Sequence, residues 1–161
     1  MSSGEDEMPG GGDDETLCVI GLMSGTSMDG IDAALIDTDG DGEVFQHAFA
    51  TIPYAPEFRT RLRAAAARAL EMERPGPDAL IDAVTAELTG LHAVAVEAVL
   101  AKAGYAAEDV DLIGFHGHTV AHRPNRGWTW QIGDGAALAK AARIAVVDDF
   151  RSADEIGRAH V

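Results

Sequence analysis

The chain has 161 residues, 47% of them hydrophobic, and its 27 acidic and 12 basic residues give a formal net charge of −15. The length and apolar content predict one folded domain with a substantial core. The charge excludes a general nucleic-acid binder and a protein that binds anionic membrane surfaces.

The first fifteen residues differ from the rest of the chain. Residues 1–15 hold six acidic residues, no basic residue and no apolar period, which predicts a disordered tail. The segment lacks the basic start and apolar stretch of a signal peptide, and we find no apolar run long enough to span a bilayer. The single cysteine, Cys18, excludes an intrachain disulfide. We therefore expect a cytoplasmic protein.

Three strands are predicted first along the chain, followed by two helices. The strands are "TLCVIGLM", "IDAALIDTDGDGE" and "EVFQHAFATIPY", and their short connections predict an antiparallel meander. Apolar residues three or four apart predict an amphipathic helix from Glu57, which "RPGP" ends. A second helix is expected to begin at Asp78 as its N-cap and to end near Gly104.

The remaining elements complete an α/β pattern. "DVDLIGFHG" and "WTWQIG" are predicted strands, "DGAALAKAARI" a short helix and "IAVVDDF" a last strand. Trp128 and Trp130 alternate along one strand and should share a face, which favours a core or subunit contact over sugar stacking. The order βββ, α, α, β, β, α, β predicts one α/β domain with a mixed sheet, in which "HGHT" is a turn.

The most distinctive stretch is "SGTSMDGID", between the first two predicted strands. Gly25 and Gly30 have the spacing of the P-loop glycines, but Ile31 and Asp32 stand where that motif requires Lys and Ser/Thr. The next segment is also strand-like, whereas a P-loop opens a helix. The alternative is a strand–turn–strand hairpin whose backbone N–H groups bind an anion.

The side chains of this turn are consistent with phosphate binding. Its hydroxyl donors are Ser24, Thr26 and Ser27. Asp29 and Asp32 would repel phosphate unless a cation lay between, so they indicate magnesium. Asp32 could equally accept hydrogen bonds from the turn. A plain hairpin with a Gly/Ser/Asp turn explains the same pattern, and the residues alone leave both readings open.

Four ordered blocks carry a family resemblance. "GLMSGTSMDGIDAALID" resembles the N-terminal signature of the anhydro-N-acetylmuramic acid kinases, within the actin/hexokinase/sugar-kinase superfamily. "LIGFHGHTVAHRP", "TWQIGDGAALAK" and "IAVVDDFRSAD" are similar to later blocks of that family. The resemblance implies the N-terminal lobe of an actin-like (ribonuclease H-like) ATPase, with helices packed on the mixed sheet. It also implies ATP and Mg²⁺ as cofactors.

The resemblance also implies functional residues. The ATP-binding loop would comprise Gly25, Thr26, Ser27, Met28, Asp29, Gly30, Ile31 and Asp32, with Asp29 and Asp32 near the metal. The sugar side would comprise His116, His118, Thr119, Asp149, Arg151 and Asp154. Arg151 or Arg123 could bind a lactyl carboxylate in a bidentate manner. The family usually has Gln where this chain has His118, which adds a titratable group there.

The implied reaction splits the 1,6-anhydro bond of anhydro-N-acetylmuramic acid with water and phosphorylates O6. It yields N-acetylmuramic acid 6-phosphate and ADP in peptidoglycan recycling, and the family often works as a homodimer. A second hypothesis is a non-catalytic nucleotide- or phosphate-binding module. A third is a metal-dependent hydrolase built on His116, His118 and His122, although a closed zinc site needs four well-placed ligands.

The C-terminal residues depart from the family pattern. After "DFRSAD" the family continues into a glycine-rich segment, the expected catalytic aspartate and a second domain. Here residues 155–161 read "EIGRAHV", which we interpret as read-through into a sequencing adapter. Residues 16–154 would then be the N-terminal lobe, with the catalytic base beyond them. We expect this chain alone to be inactive and to expose apolar surface.

Overall fold

The computed structural model describes residues 16–25, 28–39 and 42–148, together with the backbone of residues 159–160. The predicted acidic tail, residues 1–15, lies outside the described residues. Most of the predicted read-through segment, residues 155–161, lies outside them as well. Both interpretations therefore stay predictions.

The chain opens with the predicted antiparallel meander. Its strands are β1 (Leu17–Ser24), β2 (Gly30–Thr38) and β3 (Val44–Pro53). β1 and β2 run antiparallel from the Leu17–Thr38 pair to the Ser24–Ile31 pair. β2 and β3 are also antiparallel, with a register shift between Leu35 and Ile36. The meander prediction is confirmed.

Two helices follow, with the predicted boundaries. α1 (Pro56–Glu71) starts with a proline at its first position, where the missing N–H removes no helical hydrogen bond. α2 (Ala79–Ala103) begins after Asp78, whose side chain accepts a hydrogen bond from the Ile81 N–H at 3.1 Å. It ends at Gly104, which has a left-handed φ of 73°. Local capping chemistry thus set both ends of α2.

The composition of α2 corrects one expectation. By length and apolar composition alone, α2 could cross a membrane. The expectation that no apolar run is long enough to span a bilayer was therefore wrong. A helix at the centre of a folded core has the same composition. α2 contacts β1, β2 and β3 as well as α1 and α3. Its buried apolar side chains include Ile81, Val84, Leu88, Val96 and Val99.

The second half of the chain completes a mixed sheet. Its elements are β4 (Leu112–Phe115), β5 (His118–Arg123), β6 (Trp128–Ile132), α3 (Gly135–Ala142), β7 (Val146–Asp148) and β8 (Ala159–His160). The sheet has the order β3-β2-β1-β4-β7-β8, and β5 pairs with β6 in a separate antiparallel hairpin. β4 runs parallel to β1, and β7 runs parallel to β4. The mixed α/β prediction is confirmed.

The hairpin of β5 and β6 is the main difference from the predicted elements. The "HGHT" segment was expected to be a turn, but only His116 and Gly117 connect two strands, and His118 already begins β5. Gly117 turns the chain with a φ of 70°. β5 was missed because its six residues include two histidines and an arginine. Such a short polar segment carries no clear strand period.

The two faces of the main sheet differ in how far other elements bury them. Ile20, Leu22 and Ile31 are buried in the core on the face that α2 covers. Met23 and Phe49 lie on the opposite face and are 57% and 43% exposed. The described part of the chain therefore presents apolar surface on that face, in line with the expectation from the sequence.

Candidate functional site

Three strands of the main sheet end at the same edge. The residue pairs Gly21–Gly114 and Gly114–Val147 show that β1, β4 and β7 run in parallel. Their carboxyl ends therefore meet at one edge, which we call the carboxyl edge. In open α/β sheets, ligands bind in the crevice outside the carboxyl ends of the strands.

The glycine turn leaves the sheet at this edge. It connects β1 to β2 as a strand–turn–strand hairpin, because Gly30 already belongs to a strand. Met28 has a left-handed φ of 60°, and its N–H donates to the Gly25 carbonyl oxygen at 3.0 Å. The prediction of a strand–turn–strand hairpin rather than a P-loop is confirmed. Thr26 and Ser27 lie outside the described residues.

Gly30 is required by the close approach of β3. A Cβ atom at this position would press against the backbone carbonyl of Ile52 and lie 2.8 Å from the Pro53 Cα. Both contacts are with backbone, which moves less readily than the end of a side chain. The glycine therefore lets the end of β3 lie directly against the end of the turn.

The two aspartates of the turn are exposed and have different neighbours. The carbonyl oxygen of Asp29 accepts a hydrogen bond from the Tyr54 N–H at 2.9 Å, and its carboxylate lies 3.9 Å from the Arg59 guanidinium. Asp32 accepts a hydrogen bond from the Thr51 hydroxyl on β3 at 2.9 Å. Both carboxylates are open to solvent, so they are accessible to a hydrated cation.

His118 occupies a different environment from the one expected. The sequence predicts His118 in a turn on the sugar side, whereas the structure buries it in β5 at 1% exposure. Its Nδ1 lies 2.8 Å from the Ser24 Oγ. Burial lowers the pKa of His118, while the hydrogen bond to Ser24 raises it less. The imidazole is therefore neutral at neutral pH.

A second partner of Ser24 was missed by the sequence. The Tyr54 Oη lies 2.6 Å from the Ser24 Oγ. Burial raises the pKa of Tyr54 to about 12, so its hydroxyl stays protonated at neutral pH. We call these three residues the carboxyl-edge group. Nothing near Tyr54 in the sequence indicates this role, because Tyr54 lies 30 residues from Ser24.

A cavity of about 580 Å³ opens at the carboxyl edge, between the ends of β4 and β7 and the strand β6. Such a volume suits a ligand the size of a small molecule or sugar. Its lining includes Phe115, His116, Gly117, Trp130, Gln131 and Asp148. The Gln131 side-chain amide donates to the His116 carbonyl oxygen at 2.9 Å. Of the residues proposed for the sugar side that the structure describes, only His116 lines this cavity.

The structure says less about the positions of the other predicted site residues. Thr119 follows His118 in β5 and is half-buried, as is Arg123 at the end of that strand. Asp149, Arg151 and Asp154 lie outside the described residues. Asp148, which the sequence analysis did not select, ends β7 at the cavity. Its position at the carboxyl end of a strand was the available signal.

The histidines of this region do not form a metal site. His122 is exposed, and its Nδ1 lies 2.7 Å from the Thr129 hydroxyl, whereas His118 is buried against Ser24. Within residues 16–25, 28–39 and 42–148, no three metal-ligating side chains come together. The hypothesis of a hydrolase built on His116, His118 and His122 therefore has no support from the geometry.

Comparisons with known proteins agree with the motif blocks. The family model described as anhydro-N-acetylmuramic acid kinase matches residues 17–157. The anhydro-N-acetylmuramic acid kinase of Rhizorhabdus wittichii is 58% identical over 138 residues, covering 86% of this chain and 38% of the relative. Those of Zymomonas mobilis and Rhizobium johnstonii are 50% and 51% identical, over 39% and 37% of their own lengths. The chain thus spans less than two-fifths of these relatives, and it belongs to the anhydro-N-acetylmuramic acid kinase family, with its actin-like sugar-kinase fold.

Proposed function

We propose that this chain supplies the ATP-phosphate side of a kinase that opens and phosphorylates 1,6-anhydro-N-acetylmuramic acid. One observation carries the proposal: the glycine hairpin and a cavity of about 580 Å³ both lie at the carboxyl edge of the sheet. Family membership supplies the reaction class. The product would be N-acetylmuramic acid 6-phosphate.

ATP would bind at the hairpin. Gly25, Met28 and Gly30 would offer backbone groups to its phosphates, with Thr26 and Ser27 as hydroxyl donors. A turn of this kind favours an anion, because successive N–H groups can point at one oxygen. The exposed carboxylates of Asp29 and Asp32 would hold a magnesium ion, which would neutralise negative charge on the phosphates.

The sugar would occupy the cavity beside the hairpin. Trp130 offers an aromatic wall, while Gln131 and Asp148 offer polar groups for hydroxyls. The Trp128 ring supports Trp130 through an edge-to-face contact with 6.5 Å between ring centres. Thr119 would contribute from β5, with Asp149, Arg151 and Asp154 after β7. Arg151 or Arg123 would bind the lactyl carboxylate.

This chain's own residues position reactants rather than form covalent intermediates. ATP supplies the transferable phosphoryl group, and phosphoryl transfer depends on alignment and charge neutralisation. Opening of the anhydro ring needs a base that activates water, which we place in the part of the relatives that this chain does not span. We therefore expect the 161-residue chain alone to bind nucleotide without turnover.

The biological setting is part of the same proposal. Release of a phosphorylated muramic sugar from its anhydro form belongs to peptidoglycan recycling, which we place in the cytoplasm. The complete enzyme would work as a homodimer. Analytical ultracentrifugation of the complete protein tests the dimer, since a single monomer peak across micromolar concentrations would contradict it.

The activity test uses the protein expressed from the complete reading frame. Incubation with ATP, Mg²⁺ and the anhydro sugar should produce ADP and sugar 6-phosphate in equal amounts. Asp29→Asn and Asp32→Asn should each lower kcat/KM roughly tenfold or more. Asp37→Asn, on β2 like Asp32 but at the opposite end of that strand, is the matched control. Nucleotide binding without turnover of any sugar would favour the non-catalytic binding module.

A further inference from the structure

Tyr54 contacts both ends of the glycine turn. Its side-chain Oη lies 2.6 Å from the Oγ of Ser24, the last residue of β1. Its backbone N–H donates to the carbonyl oxygen of Asp29 at 2.9 Å, immediately before β2 begins. The turn of residues 25–28 lies between these two attachment points. Tyr54, which lies outside the turn, thus contacts a residue on each side of it.

Tyr54 is itself held firmly by the core. It is 4% exposed and follows β3 directly. Its ring contacts the buried Phe58 of α1 edge-to-face, with 5.0 Å between the ring centres. A tyrosine packed in this way has few alternative rotamers in a dense interior. The positions of its hydroxyl and N–H are therefore set by β3 and α1, independently of the turn.

The same hydrogen bonds reach the cavity wall. The Ser24 Oγ also contacts the His118 Nδ1 at 2.8 Å, and His118 begins β5. The partner strand β6 carries Trp130 and Gln131 into the cavity. If Tyr54 donates to Ser24, then Ser24 donates to Nδ1 and the imidazole proton is on Nε2. The carboxyl-edge group therefore links the turn to the cavity wall.

We propose that Tyr54 is a positioning residue for nucleotide binding that fixes Ser24 and Asp29, the residues on either side of the glycine turn. It touches no phosphate. A turn whose backbone N–H groups must converge on an anion binds more tightly when it is ordered before the ligand arrives, because less conformational entropy is lost on binding. This inference rests on the proposed function, in which the turn binds the phosphates of ATP.

The first experiment measures order in the turn without nucleotide. In the protein from the complete reading frame, Tyr54→Phe removes one hydroxyl and keeps the ring and the backbone N–H. Hydrogen–deuterium exchange of a peptide covering residues 24–30 should become roughly tenfold faster, as expected for the loss of one buried hydrogen bond. Tyr105→Phe is the matched control, because the Tyr105 hydroxyl contacts His47, away from the turn. That variant should leave the exchange of residues 24–30 unchanged.

The second experiment measures the affinity for ATP by calorimetry, well below the unfolding temperature of each variant. Tyr54→Phe should raise the Kd for ATP roughly tenfold, and Tyr105→Phe should not change it. Ser24→Ala should raise the Kd at least as much. The double variant should bind no more weakly than Ser24→Ala alone, because both changes remove the same hydrogen bond.

The outcomes separate this inference from the proposed function. If the unchanged protein binds no ATP, the proposed function fails and the positioning role fails with it. If the unchanged protein and Tyr54→Phe bind ATP equally, only the positioning role is overturned. Faster exchange of residues 24–30 with an unchanged Kd also overturns it, because the contact would then serve stability alone.

Discussion

Two hydrogen-bonded groups, each with one histidine and one tyrosine, lie at opposite ends of β1 and β2. The carboxyl-edge group joins Ser24, Tyr54 and His118, and each member is less than a tenth exposed. At the other end, which we call the amino edge, His47 lies 2.9 Å from the Asp37 carboxylate and 3.3 Å from the Tyr105 hydroxyl.

The two groups differ in burial and in charge. At the amino edge the side chains of His47 and Asp37 are 21% and 38% exposed, so water screens their attraction. No carboxylate takes part in the hydrogen bonds of the carboxyl-edge group. Similar residue types thus form a partly exposed histidine–aspartate contact at one end and a buried neutral network at the other. Position in the sheet, rather than residue type, separates the candidate site from a structural contact.

Cys18, at the amino edge, strengthens this contrast. Burial, and then the negative charges of Asp37 and Asp111, raise the pKa of its thiol to about 11. A thiol that stays protonated at neutral pH is a weak nucleophile. A cysteine close to two aspartates would suggest a reactive site from composition alone, but the raised pKa opposes it.

The largest expected effect comes from filling space at the carboxyl edge. Gly117 has a φ of 70°, and a Cβ there would press against the Ile132 carbonyl oxygen. Gly127 has a φ of 81° with nothing within 4 Å of the added atom. We expect Gly117→Ala to lower the free energy of unfolding by about 3 kcal/mol and Gly127→Ala by about 1 kcal/mol. Equal losses in urea unfolding would show that the hairpin can shift.

Acid should destabilise the protein through a histidine next to the carboxyl-edge group. Burial lowers the pKa of His92 from 6.5 to about 4. That value includes a smaller opposing effect from its hydrogen bond to the Leu88 carbonyl oxygen and a further small lowering by nearby His118. Between these values the unfolded chain binds a proton that the folded chain does not, so stability falls as the pH drops from 6.5 to 4. At about 1.4 kcal/mol per pKa unit, His92 accounts for about 3 kcal/mol.

Urea unfolding at several pH values measures this loss, with His92→Gln as the variant. The variant should be less sensitive to pH between 6.5 and 4. Part of the sensitivity should remain, because burial lowers the pKa of His118 as well. Identical pH profiles for the two proteins would contradict the assignment to His92.

A smaller effect separates the two tyrosines. Tyr54→Phe leaves Ser24 without one partner in a buried site and should lower the free energy of unfolding by about 1 to 2 kcal/mol. Tyr105→Phe removes a longer contact to the more exposed His47 and should lower the free energy of unfolding by less than Tyr54→Phe does. Thermal unfolding of both variants makes the comparison. A larger loss for Tyr105→Phe would reverse the ranking of the two groups.

A small effect is also expected from the loss of the contact between His47 and Asp37 at the amino edge. Asp37→Asn should lower the free energy of unfolding by less than about 1 kcal/mol, because both partners are partly exposed. The difference from the unchanged protein should shrink in 1 M NaCl, which screens charges over a few ångströms. A loss that does not depend on salt would mean that the pair acts through hydrogen bonding alone.

Most of the fold could be predicted from the sequence. The alternation in β1 to β3, the Asp78 cap and the Gly104 terminus are local signals, because neighbours along the chain decide them. β5 could not be predicted in this way, since its strand character depends on pairing with β6 and on the close approach of Gly117 to Ile132. The membrane-like composition of α2 shows the same limit, because composition does not record what packs around a helix.

The sequence by itself determined the family, the meander, the capped helices and the glycine hairpin, all of which depend on residues close together in the chain. Only the tertiary structure decided that Ser24 meets Tyr54 and His118, which are 30 and 94 residues away. It also decided that His118 is buried and that Asp148 borders the cavity. The physical reason is that hydrogen-bond partners, burial and the resulting pKa changes arise from chain segments that approach one another only on folding.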